Sequence, residues 1–403
     1  MAKEWMDVIK GMYKAKGVPE NFVSTPIVQK QGQEFNKAIN SQFGDIDFNS
    51  PDYILRETLK KNTWDFSVAK NYTDNIRLNN LLLNEDGSLR SWSDFKYEAK
   101  KVVGESTRYL KTEYDTVVAS AQMSRIWQDL QATKEIFPYV QMVVVKDDRT
   151  SDTCTPLADV IFSVDDPALI YYWPPNHFNC RTTIKKLRYG VPTEKYELPE
   201  IPQEFRNNAG ATGEVFTKDN SYIANTPQEI LKQGRELFEQ DKIQSRYDDI
   251  PFNSQSYNNN GVLEIFTKGK QFKHEQAKNI KTLEILCNLG KKYRLLPVIE
   301  DGLTNPDALN LITNKLVDIK VADGTNGKNI IQGAMKEASR QKVSEVIINL
   351  NNTPNSYREM YLGLRTTLLA KRAKNIKNII IIFPDRTVKE YDVETILAKI
   401  TKR

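Results

Sequence analysis

The strongest constraint on the fold of this 403-residue chain is a change of apolar period between Phe272 and Leu350. From Phe272 to Leu289 the residues Ile280, Leu283, Ile285, Leu286 and Leu289 recur at helical spacing, and Gly290 stands where a helix C-terminus is expected. The next apolar runs are short and strand-like: Tyr293 to Val298, Ala308 to Ile312 and Leu316 to Val321. A second helical stretch covers about Asn329 to Lys342, and the strand Glu345 to Leu350 follows. The predicted order is helix, three strands, helix, strand, the pattern of a compact α/β domain.

Two carboxylates and a lysine fall on adjacent strands of that domain. Asp307, preceded by Pro306, opens one strand, and Asp318-Ile319-Lys320 lie on the next, across the turn Thr313-Asn314. Mg²⁺ prefers carboxylate oxygens and keeps several waters, so two aspartates brought together by a hairpin suit a metal that works on a phosphodiester. Lys320 would orient the attacking water, help deprotonate it, and offset charge developing on the phosphate. A structural alternative stays open, in which Pro306-Asp307 begins a turn and Asp318 and Lys320 lie on a solvated strand face.

The core order, with Pro306-Asp307 as first motif and Asp318-Ile319-Lys320 as second, resembles the PD-(D/E)XK nuclease superfamily. Within it the stretch is similar to the tRNA-nuclease C-terminal domains of contact-dependent inhibition (CdiA-type) toxins, through Leu295-Leu296-Pro297, Asn305-Pro306-Asp307-Ala308, Asp318-Ile319-Lys320 and Gln341, in that order. Asp318 departs from the commoner form, which has Glu. The resemblance implies Mg²⁺ or Mn²⁺ held by Asp307 and Asp318, with Lys320 positioning water and phosphate. It also implies that Gln341 contacts substrate or Lys320, and that a helix glutamate completes the site. Glu275 and Glu284 both lie on the first helix, and Glu284, nearer Gly290, is the preferred candidate.

Fifty-seven basic against 52 acidic residues give a net charge of +5, too mild to mark the whole chain as a nucleic-acid binder. Local clusters say more. Lys268, Lys270, Lys273, Lys278 and Lys281, then Lys291, Lys292 and Arg294, flank the first helix, and Lys371, Arg372, Lys374 and Lys377 form another group. Such patches would draw in a phosphate backbone, although solvated helix faces carry the same residues. Stacking aromatics favour RNA, and Phe272 and Tyr293 are the nearby candidates.

The length predicts two or three domains, each large enough for its own core. No run approaches the roughly 18 apolar residues that span a bilayer, and the first residues lack a signal-peptide pattern, so no membrane anchor is expected. Three cysteines make no disulfide framework, which suits a reducing cytoplasm. Four parts are expected: a mostly helical region at 1–87, a domain at 88–190, a connecting region at 191–262 and the α/β domain at 263–403. Trp92 to Thr133 reads as one long amphipathic helix, followed by a strand at Val143-Val144-Val145. The connecting region, with Gly210-Ala211-Thr212-Gly213 and Tyr257-Asn258-Asn259-Asn260-Gly261, is expected to carry one helix near Pro227 to Gln240.

A second constellation lies in the loop-rich stretch that ends near Ile184. Cys154, His177 and Cys180 are soft or borderline donors that would tie such loops to Zn²⁺. A structural zinc site normally has four protein ligands, and Asp152 or Asp159 would have to complete this one. Alternatively the cysteines are small buried hydrophobes and His177 caps a turn.

The segment Arg149-Thr150 through Cys154, the turn Leu157-Ala158-Asp159 and above all Pro174-Pro175-Asn176-His177-Phe178-Asn179-Cys180-Arg181 resemble the phage Mu F-like head-morphogenesis family. Leu110 to Tyr114 and Ala119 to Trp127 fit the long helix that precedes this motif in the family, so the resemblance covers roughly residues 88 to 187. Leu157 and Thr182 stand where many members have further cysteines, which weakens the metal reading. The resemblance implies a minor head protein of a tailed phage or prophage, made in the bacterial host cytoplasm, placed in the virion and associated with portal and capsid proteins. Members often end in an appended enzymatic domain. The expected fold class is therefore α+β multidomain: a largely helical head-morphogenesis region, then an α/β PD-(D/E)XK-like nuclease that acts on tRNA or DNA and travels with the genome. An active nuclease would need an immunity protein or sequestration in the procapsid. The alternative is a purely structural head protein whose nuclease-like domain is inactive and binds DNA or protein.

Overall fold

The computed structural model describes residues 1–44, 46, 50–194, 199–271, 273–300, 303–370, 372–373 and 375–401. Helices and sheets are both abundant, and the chain forms two compact units, Met1–Glu239 and Gln240–Arg403.

The first unit is mainly helical: α1 (Ala2–Ala15), α2 (Thr25–Phe43), α3 (Pro51–Asn80), α4 (Trp92–Arg108) and α5 (Leu110–Ala132). Ser50 and Ser91 cap α3 and α4 by accepting the N–H groups of Tyr53 and Asp94, each at 3.2 Å. The single helix expected from Trp92 to Thr133 is two, because the chain breaks at Tyr109. Its apolar period carries through the break, and a residue from elsewhere ties the two helix ends together. Lys70 of α3 donates to the Ser106 carbonyl in the last turn of α4 at 2.9 Å and to both carboxylate oxygens of Glu113 in the first turn of α5, at 2.6 and 2.8 Å.

A three-stranded antiparallel sheet follows, with β1 (Tyr139–Val143) between β2 (Ile161–Ser163) and, after helix α6 (Ala168–Tyr172), β3 (Thr183–Leu187). The strand lies earlier than the expected Val143–Val145, since Val140 and Met142 face the core with Phe162, Leu169 and Trp173. The stretch expected to connect domains is instead well organised. Helices α7 (Ala209–Thr212), α8 (Ser221–Ala224) and α9 (Gln228–Gln244) lie in it. Phe216 stacks on Phe66 with ring centroids 3.8 Å apart, and Asn62 accepts the N–H groups of Val215 and Phe216 at 2.8 and 2.9 Å. Few apolar residues are present there, but Ile201, Phe205, Val215, Phe216, Ile230, Leu231 and Phe238 are buried.

The second unit is an eight-stranded sheet covered by helices. Its elements in chain order are β4 (Phe252–Ser256), β5 (Val262–Phe266), α10 (Lys273–Asn288), β6 (Lys292–Leu295), β7 (Ala308–Asn310), β8 (Lys315–Ala322), α11 (Gly327–Arg340), β9 (Glu345–Leu350), α12 (Tyr357–Leu369), β10 (Asn378–Ile382), β11 (Val388–Asp392) and α13 (Val393–Thr401). The sheet order is β11-β10-β9-β8-β7-β6-β5-β4, with β8, β9 and β10 mutually parallel. The expected series of helix, three strands, helix, strand is α10, β6, β7, β8, α11, β9, and two further strands precede it: β4 inside the expected connecting region and β5 across its expected end at residue 262. One sheet face packs against Ile331, Ala334 and Met335 of α11 and Met360 and Leu364 of α12. The other packs against Leu283, Leu286 and Cys287 of α10.

Two glycines fit the turn after α10. Gly290 has φ +87°, the left-handed geometry expected of a helix stop. A Cβ on Gly261 would sit 1.7 Å from the Cys287 carbonyl oxygen, so no other residue fits that crossing.

Candidate active site

Alternation along β8 decides which side chains reach the site. Leu316 and Ala322 join the core under α11 and α12, and Val317 and Ile319 join the core under α10. Asp318 and Lys320 therefore share the face of α11 with Leu316 and Ala322, where apolar residues would otherwise continue. Asp318 is only 8% exposed. Lys320 reaches the rim and donates to Glu337 of α11 at 2.7 Å.

The site exists because β7 is short. Its pairing with β8 runs from Asn310 opposite Lys315 to Ala308 opposite Val317, and the turn between them uses Asn314 at φ +55°. One step further the register sets Asp307 against Asp318, and there the ladder stops. Oδ2 of Asp307 takes the place of a strand carbonyl by accepting the Ile319 N–H at 2.7 Å. Its Oδ1 accepts from Asn279 of α10 at 3.1 Å. Gln271 accepts a second hydrogen bond from Asn279 at 3.2 Å and donates to the carbonyl oxygens of Leu296 and Asp307, at 2.6 and 3.1 Å. Asp307 is thus held at both carboxylate oxygens and at its carbonyl.

The cleft beyond the ladder has a volume of about 460 Å³, and Glu275, Lys278, Asn279, Lys320 and Gln341 line it with the two aspartates. Burial pushes the Asp307 carboxyl up to about 6, against the lowering effect of the Ile319 N–H, with Glu275 raising it further. Burial pushes Asp318 up to about 7, helped by the neighbouring carboxylates of Asp307 and Glu337 and opposed by Lys320. Two buried oxygen acids that resist joint ionisation, beside a cation, are a donor set suited to a hard divalent metal.

Of the residues expected to act, Asp307, Asp318, Lys320 and Gln341 come together. Gln341 lines the cleft, and its Oε1 accepts the Asn305 N–H at 3.2 Å, which holds the strand entry that carries Asp307. Glu284 is elsewhere, accepting from the Tyr257 hydroxyl at 3.1 Å, and Glu275 occupies the cleft instead. The two glutamates lie nine positions apart on α10, half a turn out of phase, so only one can face the aspartates. Asn279 and Glu337 were not anticipated. The i,i+4 spacing of Glu275 and Asn279 was the available signal.

The basic cluster is largely engaged elsewhere. Lys278 lines the cleft and lies 3.6 Å from Asp323. Lys291 pairs with Glu390 at 2.7 Å, and Arg294 with Glu264 at 2.6 Å. Lys281 and Lys292 do not line the cleft. Tyr293 cannot stack on a base, because it is fully buried and donates to Glu345 at 3.0 Å. Phe272, Lys371, Lys374 and the side chain of Lys273 lie outside the described residues.

In the first unit the Cys154, His177 and Cys180 donor atoms lie within 4.8 Å of one another. Asp159, one suggested fourth ligand, pairs with Lys146 at 2.7 Å. Among the described residues no helix is long and apolar enough to cross a membrane.

Comparison with known proteins finds likeness in two segments of the chain. Residues 86–185 match the family described as Phage Mu protein F like protein, and residues 304–388 match the contact-dependent growth inhibition CdiA C-terminal domain. The "Putative capsid assembly protein F" of Escherichia phage Mu is 30% identical over 146 residues, which are 33% of this chain and 33% of that protein. The match thus spans about a third of the length of this curated relative. Among solved structures, the CdiA-CT/CdiI toxin and immunity complex from Burkholderia pseudomallei aligns with a TM-score of 0.26 and 15% identity, covering 32% of this chain and 98% of that one.

Proposed function

Taking as premise a chain that joins a Phage Mu F-like segment to a CdiA C-terminal-domain-like segment, we propose that it is a minor head protein of a tailed phage or prophage whose C-terminal unit is a metal-dependent endonuclease of the PD-(D/E)XK kind. It associates with portal and capsid proteins during head assembly, and its place is in the virion. The observation that carries the enzyme reading is the meeting of Asp307, Asp318 and Lys320 at the point where the β7–β8 ladder ends.

Asp307 and Asp318 would hold Mg²⁺ or Mn²⁺, which when bound supplies a Lewis acid for a phosphate oxygen and a more acidic water. The chain itself does the positioning. Asn279 and the Ile319 N–H fix Asp307, leaving Asp318 to adapt. Glu337 holds the Lys320 ammonium at the cleft rim, where it meets the phosphate and the charge that grows on it. Lys278 adds a second cation on the α10 side. Gln341 steadies the segment from Asn305 to Asp307.

The CdiA-type likeness supports tRNA as substrate, and DNA is the competing one. A chain with an active nuclease needs restraint where it is made, by an immunity protein or by confinement in the procapsid. The test is cleavage by the full chain with Mg²⁺, offered total tRNA, plasmid and linear DNA, beside Asp318→Asn and Lys320→Ala. Cleavage of one substrate that both variants lose supports the reading and names the substrate class. A folded, Mg²⁺-supplied chain that cuts none of them leaves a head protein with a nuclease-like fold.

A further inference from the structure

We propose that Cys154, His177 and Cys180 form a Zn²⁺ site in the first unit, one that clamps two loops of the Mu F-like segment and is independent of the nuclease cleft.

The sheet brings the two loops together. The chain leaves β1 after Val143 and returns to it at Thr183, its antiparallel partner, so the segments that carry Cys154 and Cys180 rise from the same end of the sheet. Asp147 and Arg181 bind their bases in a two-point ion pair at 2.5 and 2.7 Å. Above that pair the three donors converge. Cys154 Sγ is 3.7 Å from Cys180 Sγ and 3.2 Å from His177 Nε2.

Those separations lie near the ones a tetrahedral metal imposes. With Zn–S of about 2.3 Å and Zn–N of about 2.0 Å in a tetrahedral site, two sulfurs stand about 3.8 Å apart and sulfur and nitrogen about 3.5 Å. A disulfide would require about 2.05 Å, and both cysteines are free. The histidine is oriented for ligation as well. Its Nδ1 lies 2.7 Å from the Phe178 carbonyl oxygen, which can only accept, so the proton sits on Nδ1 and the lone pair of Nε2 faces the thiols.

Ser151, Cys154 and His177 border a cavity of only about 10 Å³, close to the size of one water. Two thiolates and an imidazole select a soft or borderline metal over Mg²⁺ or Ca²⁺. The remaining coordination position goes to water or to the hydroxyl of Ser151, whose Oγ lies 2.7 Å from Nε2.

The full chain, loaded with Zn²⁺ and dialysed against metal-free buffer, is expected to retain one zinc per chain by elemental analysis. Replacement by Co²⁺ is expected to give the thiolate charge-transfer band and the strong visible bands of a tetrahedral site. Cys154→Ser and Cys180→Ser lose both signals, whereas Asp318→Asn keeps them, which separates this site from the nuclease reading. Should a cysteine variant not fold, alkylation of the wild-type chain read by mass spectrometry serves instead: Zn²⁺ is expected to protect Cys154 and Cys180. The proposal is overturned if the folded wild-type chain shows no cobalt–thiolate band, if Zn²⁺ leaves both thiols equally reactive, or if the two cysteines oxidise to a disulfide while Zn²⁺ is present.

Discussion

Asp307 and Asp318 stand opposite each other one step beyond Ala308 and Val317, the last pair of the β7–β8 ladder. Asp307 is fixed there by the Ile319 N–H and by Asn279, while the Asp318 carboxyl, buried beside it, answers to Asp307, Glu337 and Lys320. A strand that stops early thus converts two hairpin residues into a charged pair that a cation would relieve.

Removing either end of that arrangement should abolish turnover without unfolding the chain. Asp318→Asn and Lys320→Ala are each expected to lower Mg²⁺-dependent cleavage by about 100-fold or more, the scale of one lost transition-state charge contact. Initial rates beside circular dichroism check it, and wild-type rates in either variant would remove that residue from the mechanism.

The two glutamates of α10 should behave differently. Glu275→Gln alters a cleft residue and is expected to weaken cleavage, as is Asn279→Ala, by about 10- to 100-fold through the loosened Asp307. Glu284→Gln disturbs only the contact with Tyr257 and should leave the rate unchanged. A Mg²⁺ titration of all three variants separates these outcomes.

Proton linkage gives a signed expectation. Asp307 and Asp318 are raised to about 6 and about 7, whereas both titrate near pH 4 in an unfolded chain. Between about pH 4 and pH 7 the folded unit keeps protons that the unfolded chain has lost, so its stability falls as pH rises and levels off above that window. Each pH unit there costs up to about 1.4 kcal/mol for each carboxyl. Thermal melts at pH 5 and pH 8 without metal should show a steeper loss for wild type than for Asp318→Asn. Mg²⁺ should restore part of it at pH 8 but not at pH 5, and equal slopes in the two proteins would contradict the buried pair.

Glu345, fully buried in β9, accepts from the Tyr293 hydroxyl at 3.0 Å and from Asn310 and Asn378 at 3.1 and 3.0 Å. Glu345→Ala leaves three donors without their acceptor and is expected to destabilise the second unit by about 3 kcal/mol or more. Glu345→Gln should cost less, since it keeps one acceptor. Urea denaturation of both variants measures the difference.

Lys70 and Glu113 make the corresponding buried pair of the first unit. Lys70→Met alone is expected to cost about 3–5 kcal/mol by stranding Glu113, and Lys70→Met with Glu113→Leu to recover much of that loss. A double variant as unstable as the single one would mean that the helix break at Tyr109 depends on the charges themselves.

Much of the second unit was legible as pattern. The order of α10, β6, β7, β8, α11 and β9 follows from apolar spacing, and Gly290 and Asn314 mark their turns by conformations that those residues tolerate. The pairing of Asp307 with Asp318 follows from a short hairpin, where sequence separation fixes register. The edge strand β4 is hard to read in the sequence because Asn253, Ser254, Gln255 and Ser256 give it almost no apolar signal, whereas β5, inside the sheet between β4 and β6, begins at the expected domain boundary.

Residue order alone therefore determined what depends on neighbours along the chain: the helical and strand periods, the hairpin that aligns two aspartates, and the motif strings that carry both family likenesses. Tertiary structure decided which distant groups meet. It turned Glu275 rather than Glu284 into the cleft, buried Tyr293 on Glu345, joined the ends of α4 and α5 through Lys70, and closed Cys154 on His177 and Cys180. Period and turn chemistry act over a few residues, whereas the approach of two side chains far apart in sequence is set by the register and packing of everything between them.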